Sequence, residues 1–314
     1  MSYTWSDNAP VLGDMSPQEA AARLRSLGDE KTATELEALE IRAHSSRGIM
    51  GVASPSSSLK HLWQWWDTDC PWKNTGHEIG YITSEHPAER AQTIVSAREI
   101  EPDTTLKGKK LKITLDRFFI VAYPGGITHR ILLKFFTRNQ VRRTPEDIHF
   151  NMICRARDGE AANINGSPIF IGLSTGNQGI VLGCESVKVA DKRDEAFLGF
   201  LDSDVFKAGL HLVSTIQPAV SLIASAAYHI TKTVVDQKTN AKVQEFEMGL
   251  DFSKIPSNYK LAAGSYLVVQ IAKEGQSSWD WNDWRYQNGQ VVRKDSPRFL
   301  LPYNYFIFGI SLGE

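Results

Sequence analysis

The stretch Glu245-Phe-Glu-Met-Gly-Leu-Asp-Phe252 decides the fold class, because apolar and polar residues alternate here more regularly than anywhere else in the chain. The four apolar residues stand at every second position. Successive side chains of a β-strand point to opposite faces of the sheet, so this period is typical of a strand with one face in the core. The stretch therefore predicts a half-buried strand whose apolar face carries Phe246, Met248, Leu250 and Phe252.

Other segments extend the same interpretation in both directions along the chain. Alternation recurs at residues 111–115 and 148–156, and the apolar run 118–122 ends in Tyr123-Pro-Gly-Gly126, which has strong turn chemistry. The run Tyr266–Ile271 is apolar on both faces, so we expect a central strand there. Many short strands separated by Gly, Pro and Asn turns predict a mainly β protein of antiparallel, β-sandwich-like architecture.

The first 50 residues follow a different pattern and predict a helical hairpin. Ser16-Pro-Gln-Glu19 has the features of a helix start, because a capping Ser is followed by Pro and then by Glu at the third helical position. Residues 51–60, rich in Ser and Pro, are the predicted linker. The remainder, 61–314, is the predicted β-rich main domain, with a helical insertion at 194–235.

This insertion contains the longest charge-free stretch of the chain, Ala208 to Thr231. Gln217-Pro218 opens a helical pattern, which predicts an inserted helix near 217–235. Its apolar face is assigned to a buried contact with the sheet or a sister subunit. A second interpretation is conditional insertion into a membrane. In both cases the residues expected to make the contact are Val220, Ile223, Ala227 and Ile230.

Composition narrows the classes of partner. With 35 basic and 36 acidic residues the net charge is −1, so no global field favours nucleic acid, and none is predicted as a partner. The three cysteines are widely spaced, which fits a reducing compartment better than a disulfide scaffold. Since the first residues lack a basic, apolar signal sequence, cytoplasmic residence is the expectation.

Motifs for catalysis are scarce. Gly172 to Gly179 is rich in glycine but lacks the Lys-Ser/Thr ending of a phosphate loop, and we interpret it as a hairpin loop. A cysteine nucleophile could be formed by Cys154 with His149 or by Cys184 with His129. Yet Cys154 is in phase with core positions, which predicts an inert, buried thiol. No catalytic residue, cofactor or metal site is predicted.

Two tryptophan-rich segments are the best candidates for a binding surface. One contains Trp63, Trp65 and Trp66, and the other contains Trp279, Trp281, Trp284 and Tyr286. Aromatic side chains beside polar acceptors are typical of carbohydrate stacking or of protein interaction sites. We therefore expect a non-enzymatic binding protein whose partner is another protein or a second copy. The alternatives are a membrane-docking or pore-forming protein that uses residues 208–231, and an enzyme with an unrecognised site.

Overall fold

The computed structural model describes residues 9–47, 70–83, 91–141, 144–164, 166–189 and 239–313. Two α-helices open this part of the chain, α1 (Pro17–Ser26) and α2 (Glu30–Arg47). The predicted helix start is confirmed, because the Ser16 side chain accepts a hydrogen bond from the Glu19 backbone N–H and Glu19 reaches back to Ser16. The predicted linker 51–60 and the predicted insertion 194–235 lie outside the described residues.

Strands make up most of the described chain, and the mainly β fold class is confirmed. In chain order the strands are β1 (Gly76–Ile82), β2 (Ala91–Ser96), β3 (Lys110–Ile120), β4 (Thr128–Val141), β5 (Thr144–Arg157), β6 (Glu160–Ala161), β7 (Ser167–Ser174), β8 (Gly179–Lys188), β9 (Ala241–Asp251), β10 (Tyr259–Lys260), β11 (Gly264–Ile271), β12 (Trp284–Gln287), β13 (Gln290–Arg293) and β14 (Tyr305–Leu312).

The described strands form two sheets. The first has the order β13-β12-β2-β1-β11-β14-β3-β6, with β7 also paired to β3, and the second has the order β10-β9-β8-β4-β5. Neighbouring strands are antiparallel except for the short pair β9 and β10. Strand β11 lies between β1 and β14, which confirms the central strand expected at Tyr266–Ile271.

The interpretation of Gly172 to Gly179 as a hairpin loop is wrong. The segment joins β7, which pairs with β3 in the first sheet, to β8, which pairs with β4 and β9 in the second sheet. It is therefore a connection between sheets. Its turn residues were recognised correctly, but turn chemistry does not specify which sheet the next strand joins.

A single large apolar core fills the space between the two sheets. From Phe246 onward every second residue contributes to it, and Phe246, Met248, Leu250 and Phe252 are all buried, as the alternation predicted. The N-terminal helices pack against the same core through Ala20, Ala21 and Leu24 of α1 and through Ala33 and Leu36 of α2. The helical region and the β-rich region thus share one interior.

A second, smaller core lies on the other side of the first sheet, because that sheet curls. Its members include Ile94 of β2, Leu267 of β11, Tyr305 of β14 and Val291 of β13. Tyr305 and Val291 are both buried in this one small core. Since these two residues belong to strands that are far apart in the sheet order, the edge strand β13 must fold back over β14. This curl creates the concave surface that positions the tryptophan segment.

Candidate functional site

The tryptophan segment lies over the open side of the curled sheet. Trp281 anchors it: its indole is buried to 7 % exposure within the smaller core. A Cβ atom added to Gly80 of β1 would lie 2.9 Å from the Trp281 ring, so the absence of a side chain there allows this close contact. The turn around Trp281 is fixed by the Asp280 carboxylate, which accepts hydrogen bonds from the backbone and side-chain amides of Asn282.

The rings around this anchor form a continuous aromatic group. Trp279 stacks on Trp284 with ring centroids 6.1 Å apart and an angle of 9° between the ring planes. Trp279 also meets the edges of Trp281 at 5.4 Å and Tyr303 at 5.7 Å. Phe299 lies beside Trp284 at 6.4 Å. Offset-stacked and edge-to-face pairs at these distances are favourable beyond their buried area, so the rings hold one another in place.

The outer side of this group is exposed to solvent. Phe299 is 47 % exposed and Leu300 is 39 % exposed, whereas Trp279, Trp284 and Tyr303 are half-buried. We refer to these five residues together as the aromatic surface. Exposed charged residues of both signs lie close to these positions in the chain, namely Asp280, Asp283, Arg293, Lys294, Asp295 and Arg298. An apolar centre with a charged rim is the usual anatomy of a protein-binding surface.

Sequence reasoning identified part of this surface. Trp279 and Trp284 belong to it and also pack against the smaller core, as Tyr286 does, whereas Trp281 is a buried member of that core. The sequence pattern missed Phe299, Leu300 and Tyr303. These residues follow β13, and only the curl of the sheet brings them beside the tryptophans.

The other predicted contact residues belong to segments outside the part of the chain that the structure describes. Trp63, Trp65 and Trp66, together with Val220, Ile223, Ala227 and Ile230, lie outside the described residues. Trp72, which ends the first tryptophan-rich segment, is 2 % exposed and belongs to the main core. Within the described ranges, no helix is long and apolar enough to cross a membrane.

Neither cysteine considered as a nucleophile is in a reactive setting. Burial raises the pKa of Cys154 to about 12 and raises that of Cys184, so both thiols stay protonated at neutral pH. The expectation that Cys154 faces the core is confirmed. The imidazole of His129 does not serve Cys184; it lies between Asp158 and Lys188.

A buried polar chain joins strands β8 and β9 of the second sheet to Tyr123, which follows β3. Gln244 donates to the hydroxyl of Tyr123 at 2.8 Å, and that hydroxyl lies 2.6 Å from the hydroxyl of Ser186. Burial lowers the pKa of His77 to about 4, although Gln244 nearby favours the charged form. His77 also lies against the ring of Phe246, with centroids 4.9 Å apart. The imidazole is thus held neutral inside the protein.

This burial of His77 predicts a loss of stability in acid. Its folded pKa lies below the unfolded value of about 6.5, so the unfolded state binds the extra proton as the pH falls from 6.5 to 4. The stabilisation is therefore complete above pH 6.5, and about 3 kcal/mol should be lost by pH 4. We expect urea unfolding to show a weaker dependence on pH across this range in His77→Gln than in the wild type. Identical pH dependence in the two proteins would contradict the assignment.

A groove of about 810 Å³ opens at one end of the second sheet. Its charged groups already have partners: Arg138 pairs with Asp147 at 2.9 Å, and the Asp251 carboxylate accepts hydrogen bonds from Ser253 and Asn258. Lys107 lies over the ring of Phe252. Each of these charged groups is thus engaged by a neighbouring residue, whereas catalysis in a pocket depends on titratable groups that converge on the substrate.

Comparisons with protein-family models, with curated proteins and with solved structures gave no match to this chain.

Proposed function

We propose that the protein is a binding protein and that the aromatic surface is its contact site for a protein partner. The observation that carries this proposal is the exposure of Phe299 beside Trp284, whose ring stacks on that of Trp279. Trp and Tyr are strongly enriched among the residues that dominate the free energy of protein association. A protein partner that covers this surface would remove a contiguous apolar area from water.

The rigidity of the surface supports the same conclusion. Trp281 fixes the segment to the sheet, and ring contacts on two sides hold Trp279. Ordering of side chains is one of the main costs of association, and rings that are already held in place avoid most of it. The free energy of the apolar contact is therefore retained as affinity.

The rim charges favour a protein over a membrane surface. The three cations Arg293, Lys294 and Arg298 are matched by three acids, Asp280, Asp283 and Asp295. Docking to anionic lipid is strengthened by an excess of Lys and Arg, and this rim has none. A mixed rim suits a protein partner with its own pattern of charges, because complementary pairs set orientation and exclude wrong partners.

Site-specific photo-crosslinking in the cells that make the protein tests this proposal. We expect benzoylphenylalanine at position 299 to give a discrete protein adduct, identified by mass spectrometry, because the ring would lie inside the interface. Trp284→Ala in the same protein should abolish the adduct, since the loss of a central aromatic residue typically weakens association by about 2 kcal/mol or more. The matched control places the crosslinker at position 255, where Ile255 is 56 % exposed at the distant groove.

The outcomes distinguish the classes of partner. An adduct at position 299 that requires Trp284 and is absent at position 255 supports a protein partner, and an adduct with a second copy of this chain would identify self-association. Equal adducts at both positions would show only random encounters and would contradict the proposal. Binding of the purified protein to phosphatidylserine vesicles, lost in Phe299→Asp, would assign the surface to a membrane instead.

A further inference from the structure

Three titratable side chains meet in one hydrogen-bonded chain away from the aromatic surface. They come from three places in the second sheet: His129 from the start of β4, Lys188 from the end of β8, and Asp158 from the turn after β5. The Nε2 atom of His129 lies 2.7 Å from Asp158 Oδ1, and its Nδ1 atom lies 3.1 Å from Lys188 Nζ. Each contact has hydrogen-bond length.

The hydrogen-bond partners of these three side chains determine which atoms donate and which accept. Asp158 Oδ1 accepts a hydrogen bond from the Tyr123 backbone N–H and faces His129 Nε2, which therefore carries the imidazole proton. The lone pair on Nδ1 is then directed at Lys188. The amine also donates to the carbonyl oxygen of Thr128 at 3.1 Å. A base positioned by a carboxylate and aimed at a nucleophile is the arrangement that activates nucleophiles in covalent catalysis.

The surroundings of the amine favour its neutral form. Burial lowers the pKa of Lys188 to about 8; the nearby charge of Arg130 acts in the same direction, and Asp158 opposes it. At pH 7.5 roughly a quarter of such an amine is neutral, against roughly a thousandth of an ordinary exposed lysine. A neutral amine is the form that can attack a carbonyl carbon.

We propose that Lys188 is a self-acylating lysine that reacts with small activated acyl donors, of which an acyl phosphate is the simplest, with His129 as its general base and Asp158 as the positioning residue. The amine nitrogen forms a bond to the acyl carbon, and the bond from that carbon to the phosphate oxygen breaks. Phosphate leaves with the electron pair, and the proton released by the nitrogen passes to His129 Nδ1. The products are an amide on Lys188 and a free phosphate, and no oxidant or reductant is needed.

Access to the amine determines the size of the acyl donor. Lys188 is 5 % exposed, so a bulky donor cannot reach the nitrogen. The hydrogen-bonded group of three side chains nevertheless begins close to the surface. The side chain of Asp158 is 29 % exposed, and Ile127 beside it is 66 % exposed. A donor as small as acetyl phosphate is therefore the appropriate probe.

Two other lysines of the same chain serve as internal references. Lys260 is 3 % exposed and donates to the carbonyl of Ile255, so it matches the burial of Lys188 without its imidazole. The side chain of Lys254 is 86 % exposed and reports on an ordinary amine. With acetyl phosphate at pH 7.5, peptide mass spectrometry should find Lys188 acetylated about tenfold faster than Lys254, and Lys260 slowest.

A variant of Asp158 distinguishes general-base assistance by His129 from mere solvent exposure of the Lys188 amine. Asp158→Asn keeps an acceptor for the Tyr123 N–H but removes the negative charge that lies 2.7 Å from His129 Nε2. We expect acetylation of Lys188 to fall about tenfold while that of Lys254 is unchanged, since general-base assistance contributes at least that much. In the wild type, the rate at Lys188 should level off above about pH 8, where the amine is already neutral.

The comparison within the wild-type protein can overturn the proposal without any variant. If Lys188 is acetylated as slowly as Lys260 and reacts only after unfolding in urea, the lysine is a buried structural group and the proposal is wrong. An equal loss of acetylation at Lys188 and Lys254 in Asp158→Asn would also count against it, because the change would then be a general effect on the protein.

Discussion

Replacing Glu185 with leucine is expected to lower the free energy of unfolding by about 3–5 kcal/mol. The Glu185 side chain is completely buried, on the face of the second sheet opposite the main core. Its carboxylate lies 2.8 Å from Lys134 Nζ and 3.6 Å from Lys242 Nζ, and the side chains of these lysines are 6 % and 1 % exposed. The substitution removes the carboxylate that both lysines share, and Lys242 then keeps the half-buried Glu245, which lies 2.8 Å away.

The size of this effect follows from solvation. Burial raises the pKa of the Glu185 carboxyl, and the ammonium groups of Lys134 and Lys242 oppose that shift. Removing charges from water costs several kcal/mol for each ion, and only the mutual attraction of the group offsets it. A buried ion group is therefore sensitive to the loss of one member even where the whole group adds little to stability.

Urea unfolding at pH 7 measures the change, and Glu247→Leu is the matched control. Glu247 is an exposed carboxylate on the neighbouring strand β9, and its replacement should change stability by less than about 0.5 kcal/mol. The double variant Lys134→Met/Glu185→Leu should lose less unfolding free energy than the two single variants lose together. The difference, which is the coupling energy, should be about 1–3 kcal/mol. If Glu185→Leu unfolds at the same urea concentration as the wild type, the ion group does not form in solution.

The ion group also shows what the sequence could not predict. Strand β8, which carries Glu185, has a run of apolar residues that is a local signal of a strand. The partners of Glu185 come from β4 and β9, which are distant in the chain. Periodicity identifies the face on which a side chain lies, but pairing between strands requires the register, and a single sequence does not contain it. The chain of Asp158, His129 and Lys188 was missed for the same reason.

The candidate binding surface was predictable only in part. The abundance of tryptophan at 279–284 is visible in the sequence, and it identified the segment. The choice between core and surface within that segment depends on the curl of the first sheet, which buries Trp281 against Gly80 and leaves Trp284 at the exposed edge. The curl accumulates from the twist between successive strands across the whole sheet. The residue types therefore identify the segment that carries the surface. Which of its residues are exposed depends on the tertiary structure.

The strand that decides the fold offers the most direct test of the sequence argument. Leu250→Ala is expected to lower the free energy of unfolding by about 2–5 kcal/mol. Leu250 is 1 % exposed in the main core, and its truncation removes buried apolar contacts and leaves a cavity that the close-packed interior cannot fill completely.

Glu247 lies three positions earlier on the same strand but points to the other face, where it is exposed. Glu247→Ala should therefore change stability by less than about 0.5 kcal/mol, because the side chain leaves no cavity behind. Urea unfolding of both variants measures the two effects under identical conditions. Equal stability of Leu250→Ala and Glu247→Ala would mean that the two faces of the strand are not distinguished by burial. The alternation at residues 245–252 would then have no structural meaning, and the assignment of this strand to the core would have to be abandoned.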